Sequence, residues 1–193
     1  MADYNRFPVE QYATLELNQV AFPKTGMVVS QTPLGAAFTK DAPCENGMWV
    51  VADKAAGAIN APAAATDKPI GIVYTAEKEY DIFHYGLKTF GRKIAGDYPR
   101  VGILGIGDTV TTNCLQYSTS VFADDAALDT YLKGDLTTAP AYVIIDVTTG
   151  AKAGVPALVK TLPQNYAGAY GRVVKYYTVP NGEKGVKYQM IRV

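Results

Sequence analysis

The stretch Glu45–Thr75, ENGMWVVADKAAGAINAPAAATDKPIGIVYT, decides the fold. Met48–Val51 is a β-branched and aromatic run that holds the only tryptophan, Trp49. Ala52-Asp53-Lys54 ends this run, and Gly57 turns the chain toward a short strand around Ile59. The following Ala61-Pro62-Ala63-Ala64-Ala65 is excluded from a central strand, because Pro62 has no N–H to give to a ladder. Pro69–Tyr74 then returns as a strand, and Gly71 at its middle suggests a bulge or a bend. The reading is strand, turn, short strand, Ala-rich loop, strand.

Upstream, Gly26–Ser30 is a short strand, and Leu34, Ala36 and Phe38 alternate weakly between Pro33 and Pro43. Residues 1–25 carry Tyr4, Phe7, Tyr12 and Leu15 without clean periodicity. Three readings stay open for this arm: a turn or two of helix over Glu10–Leu17, a segment packed on its own sheet, or an extended arm on a partner. In the last case Tyr4, Phe7, Tyr12 and Leu15 are the candidate contact residues.

Downstream, residues 76–98 are polar, then aromatic, then basic, and read as an inserted hairpin. Pro99–Asn113 holds two strands around Gly107-Asp108. Asp124–Lys133 is the one convincing helix. Asp124 or Asp125 caps it, Leu128, Tyr131 and Leu132 form its apolar stripe, and Gly134 ends it. Tyr142–Val147 and Pro156–Leu162 are further strands. Ala169–Val179 and Gly185–Val193 form a hairpin across Asn181-Gly182, with Val186, Tyr188 and Met190 on one face.

The fold class that follows is mainly β: a small β-barrel or sandwich core with an inserted hairpin, one short α-helix and a C-terminal β-hairpin. The chain divides into an N-terminal arm or edge segment (1–43), a barrel-like core (44–122) and a helix plus β unit (123–193), all within what one domain can hold. A chain of 193 residues buries roughly 70% of its unfolded surface and needs no metal or disulfide staple.

Charge and composition narrow the function. Eighteen Lys and Arg balance eighteen Asp and Glu, which argues against a nucleic-acid-binding module with its basic stripe. No apolar run approaches the roughly 20 residues of a membrane span. The N-terminus lacks the basic and apolar regions of a signal peptide. Cys44 and Cys114 are expected as free, partly buried thiols. Fourteen tyrosines suit half-buried strand faces and interfaces.

Candidate chemistry is sparse. His84 stands among aromatics as the one histidine, and Ser30, Ser118 and Ser120 lie outside any nucleophile elbow. Gly102, Gly105 and Gly107 have the wrong spacing for a dinucleotide fingerprint. Asp124-Asp125 is better explained as a helix start than as a catalytic pair. No catalytic residue, cofactor site or metal site is expected.

Gly47, Val50, Val51, Asp53, Gly57 and Ile59, followed through the Ala-rich loop by Pro69, Gly71 and Val73, form a pattern of strands and glycines. It resembles the core of the small decoration, or cement, proteins of tailed-bacteriophage heads. Gly102–Asn113 resembles the closing part of that core. The resemblance implies a virion structural protein, not an enzyme, made in the host cytoplasm and carried on the capsid exterior. Its implied partner is the major capsid protein, with self-association into a trimer open and with no nucleic acid or membrane. The alternatives are another phage part (head fibre base, neck or tail component) or a non-viral β-barrel module binding a ligand such as a carbohydrate.

Overall fold

The computed structural model describes residues 3–7, 13, 15, 28–29, 32–74, 93–178 and 182–193. The chain is mainly β, with two sheets, one α-helix and a C-terminal hairpin among the described residues. The strands are β1 (Tyr4–Arg6), β2 (Val28–Val29), β3 (Trp49–Val51), β4 (Ile70–Val73), β5 (Val101–Ile103), β6 (Thr109–Thr112), β7 (Gln116–Ser118), β8 (Tyr142–Ile144), β9 (Ala157–Val159), β10 (Tyr170–Thr178) and β11 (Lys184–Arg192). The helix α1 spans Asp125–Lys133, between β7 and β8. The inserted hairpin expected within 76–98 falls largely outside the described residues.

The small sheet has the order β2-β5-β4-β3, antiparallel throughout. Trp49 faces Ile72 and Val51 faces Ile70 across the β3–β4 ladder. Trp49, Ile70 and Ile72 join the main core beside the larger sheet. Val50, Val73 and Val101 enter a second core with Leu34, Phe38 and Ile59. Both faces of this sheet are therefore covered. That is why its strands read as unbroken apolar runs and not as alternating ones. Gly71 does not mark a bulge: the register runs straight through it. A Cβ there would lie 2.4 Å from Val101 Cγ1, so the glycine leaves room for the neighbouring valine.

The large sheet has the order β1-β7-β9-β8-β10-β11-β6. Its strands come from the N-terminal arm, from the middle of the chain and from the C-terminal third. All its described pairs are antiparallel except β7 with β9. The β10–β11 hairpin is its longest ladder, and Val186, Tyr188 and Met190 all face inward. Gly182 has φ +87°, as the expected turn requires, while Asn181 lies outside the described residues. β6 and β7 are separated only by Asn113–Leu115, yet β6 ends the sheet and β7 lies next to its other end. The sheet thus curls back on itself, although no described ladder closes it into a barrel.

The Gly107-Asp108 turn links the two sheets. β5 on one side belongs to the small sheet and β6 on the other to the large one. Gly107 has φ +96°, and Asp108 Oδ2 accepts the Gly105 N–H at 2.7 Å. α1 begins as expected: Asp124 Oδ1 accepts the Ala127 N–H at 2.7 Å, and Leu128 and Leu132 are buried. β8 stops at Ile144, short of the expected Val147. Asp146 accepts the Thr148 N–H at 3.0 Å and turns the chain away.

Candidate functional site

Two apolar candidates of the arm lie inside this chain's own core. Phe7 is fully buried, edge-on to Tyr117 with centroids 6.2 Å apart. Its N–H donates to Leu115 O at 3.1 Å. Leu15 is also buried and bridges to Thr112 at the outer edge of β6. Neither side chain is offered to a partner in this fold. Tyr4 is half-buried on β1, where its hydroxyl donates to Asp146 Oδ2 at 2.6 Å. Beside it, Ser118, Ser120, Thr148 and Val159 line an open hollow of about 440 Å³. Tyr12 lies outside the described residues. The arm therefore packs on its own sheet where it is described, as an added edge strand.

What pins the arm was not legible as a site. Glu45 is 3% exposed, at the head of the strand pair. Its Oε2 accepts from Arg6 of β1 at 3.0 Å, and its Oε1 accepts from Lys152 at 2.7 Å. Burial pushes the Glu45 carboxyl up, but the two cations outweigh it and hold the group below its usual range. The clasp ties the arm, the small sheet and the loop before β9 at one point. The partners stand 39 and 107 positions away in the chain, so no local pattern announces them.

The tyrosines serve inside the molecule more than the composition suggested. Tyr131 donates to Pro140 O at 2.9 Å and Tyr176 to Asp129 Oδ1 at 2.6 Å. Tyr166 Oη accepts from Ile145 N at 3.0 Å and holds Ala169 O at 3.1 Å. Tyr117 bonds to Asp125, and burial together with that bond pushes its phenol up to about 12. The rings of Tyr117, Tyr131 and Tyr176 pack in or against the core, and all four hydroxyls fasten a strand, helix or loop. Tyr98, in contrast, is 62% exposed.

Ser30 and His84 lie outside the described residues, and the other candidate reactive groups are tied up or buried. Cys44 and Cys114 are free, buried and in one core. Burial pushes both thiols up, Cys114 to about 12, so the nucleophilic thiolate is scarcely populated. Ser118 and Ser120 hydroxyls bond to each other at 2.8 Å. Among the described residues no group of three metal-ligating side chains converges, and no helix is long and apolar enough to cross a membrane.

No family model, curated protein or solved structure matches this chain.

Proposed function

We propose that this chain is a structural protein of a phage virion that binds the outer surface of the mature capsid and stabilises it. The observation that carries this reading is the convergence of the residues on which the resemblance rests. Val50, Ile59 and Val73 are buried in one core, together with Val101, which directly precedes the Gly102–Asn113 run. Gly47 turns with φ +90° against Cys114, the residue that follows the Gly102–Asn113 run. Residues far apart in the chain thus form one β unit, as a shared core would require.

A clamp of this kind acts by holding surfaces together. It must resist deformation itself, and two sheets on continuous cores, an ion clasp and tyrosine ties suit that task. A site made only by shell expansion would give the timing, since a ligand shifts an equilibrium by its differential affinity for the two states. Repetition over the shell would multiply weak contacts.

The test is binding of purified protein to expanded and to immature shells, read by co-sedimentation and electron microscopy. Saturable binding to expanded shells alone, with a rise in their thermal stability, is expected. Equal binding to both forms, or to neither, overturns the reading.

A further inference from the structure

The second half of β10 has lost one neighbour. β8 pairs with β10 only across Tyr170–Arg172. One more bond follows, from Val173 N–H to Ala141 O at 2.9 Å. β11 stays paired with β10 as far as Thr178. Over Val174–Tyr176 the side that β8 has left has no ladder partner among the described residues. Such an edge is a template for another strand.

Beside this edge runs an open groove of about 670 Å³, walled on its far side by the end of α1 and residues 134–137. Its exposed apolar surface is aliphatic. Val174 is the extra residue of a bulge in β10 and is 56% exposed, and Leu136 is half-buried. Three cations, Lys133, Arg172 and Lys175, line it against one carboxylate, Asp135; Lys133 also stands 3.8 Å from Asp129, and Arg172 donates to Leu136 O at 3.2 Å. Asp135 is engaged by Thr137 and Thr138 of its own turn. Lys175 also stands directly opposite Lys187 in the ladder. Like charges so placed repel, and among the described residues neither lysine has a carboxylate partner.

We propose that this groove receives an extended acidic segment of a partner protein, added as a strand to β10 at Val174–Tyr176. Main-chain bonds supply the register. Acidic side chains of the segment meet Lys133, Arg172 and Lys175, and an apolar one lies over Val174 and Leu136. A nucleic acid fits less well, because its backbone has no N–H groups to complete a ladder. The groove stands on its own geometry. Only the choice of the capsid protein as the source of the segment rests on the function proposed above.

The probe is a short fluorescein-labelled peptide in which aspartate alternates with valine, titrated into the full chain by anisotropy. Saturable binding that weakens as salt rises is expected. Lys175→Glu should weaken it roughly five- to tenfold. The same change places opposite charges at the 175–187 pair, so the melting temperature should hold or rise. Peptide N-methylated at alternate residues should not bind. Equal binding by the Lys175→Glu variant or by the methylated peptide overturns the proposal, as does displacement by a single-stranded oligonucleotide of matched charge. The shell assay separates the two readings. If the peptide binds but native protein and Lys175→Glu decorate expanded shells equally, the groove and the capsid reading both stand and only the capsid protein as the source of the segment falls. If the peptide binds but the shell does not, the capsid reading falls and the groove stands.

Discussion

The indole N–H of Trp49 donates to Tyr188 Oη at 2.9 Å, and the two rings meet edge to face with centroids 5.9 Å apart. Both side chains are fully buried. Trp49 lies on β3, the last strand of the small sheet, and Tyr188 on β11 of the large one. The pair is thus a bolt between the sheets, made of apolar area and one hydrogen bond in a dry setting, where an unmade bond is costly.

Removing one atom tests the bolt. Tyr188→Phe keeps the packing and strands the Trp49 N–H, so it should cost about 1–3 kcal/mol of unfolding free energy. Trp49→Phe also opens a cavity and should cost more. Because the bond is gone in either single variant, the double variant should be less destabilised than the sum of the two. Denaturant titrations followed by circular dichroism measure all three on one scale, with no dependence on the tryptophan itself.

The Glu45 clasp should fail asymmetrically. The Glu45 side chain is 4% exposed, whereas Arg6 and Lys152 are 24% and 30% exposed. Glu45→Gln leaves two cations that can still reach water. The Arg6→Ala, Lys152→Ala double variant leaves a buried carboxylate alone, which should cost about 3–5 kcal/mol, more than Glu45→Gln. The pH dependence follows from the same geometry. The folded-state pKa of Glu45 is lowered, so its stabilisation is present above the unfolded-state value near ~4.3 and is lost as pH falls toward the folded value. Below about pH 4 the native protein should lose stability more steeply than Glu45→Gln, measured by denaturation at stepped pH.

How much of this was readable depends on the range of the cause. Val186, Tyr188 and Met190 alternate with wet residues because one face of β11 is covered. The small sheet reads as apolar runs because both of its faces are covered. Asp124 and Gly134 frame α1 because caps are local. The Gly107-Asp108 turn has the same residues whether it joins neighbours or crosses between sheets, so its crossing was invisible. Phe7 and Leu15 look alike whether they enter their own core or a partner's. The free edge of β10 lies beyond the start of β8 at Tyr142, where the chain arrives through Pro140 and Ala141, and the sequence does not show which strand meets that start. The chemistry of the clasp and of the groove is likewise assembled by topology and not by spacing along the chain.

The two thiols should be silent in the native state. Cys114 is pushed up to about 12 and Cys44 is raised as well, in both cases chiefly by burial. Native protein at mildly alkaline pH should therefore react with a thiol reagent only as fast as it opens, and both cysteines should react at once in denaturant. The sign at high pH is opposite to that for Glu45. A raised folded-state pKa stabilises below the unfolded value near ~8.5, and that stabilisation is lost as pH rises. Fast native labelling of either thiol, read by mass spectrometry, would contradict the buried placement.

Three glycines of the Glu45–Thr75 stretch should respond differently to alanine. Gly57 has φ +69° with nothing within 4 Å of an added Cβ, so Gly57→Ala should cost only the backbone strain, about 1–2 kcal/mol. Gly47 combines φ +90° with a Cβ position 2.5 Å from Cys114 Cβ and 2.8 Å from Thr112 Oγ1. Gly47→Ala should add an overpacking cost of about 1–3 kcal/mol to that strain. At Gly71 φ is ordinary and the obstacle is Val101 Cγ1. Gly71→Ala should therefore be partly rescued by Val101→Ala, whereas no single partner change should restore Gly47→Ala, since its strain lies in the backbone itself. Urea titrations of these variants separate turn geometry from packing, and rescue of Gly47→Ala by a smaller residue at 114 alone would show that packing dominates there.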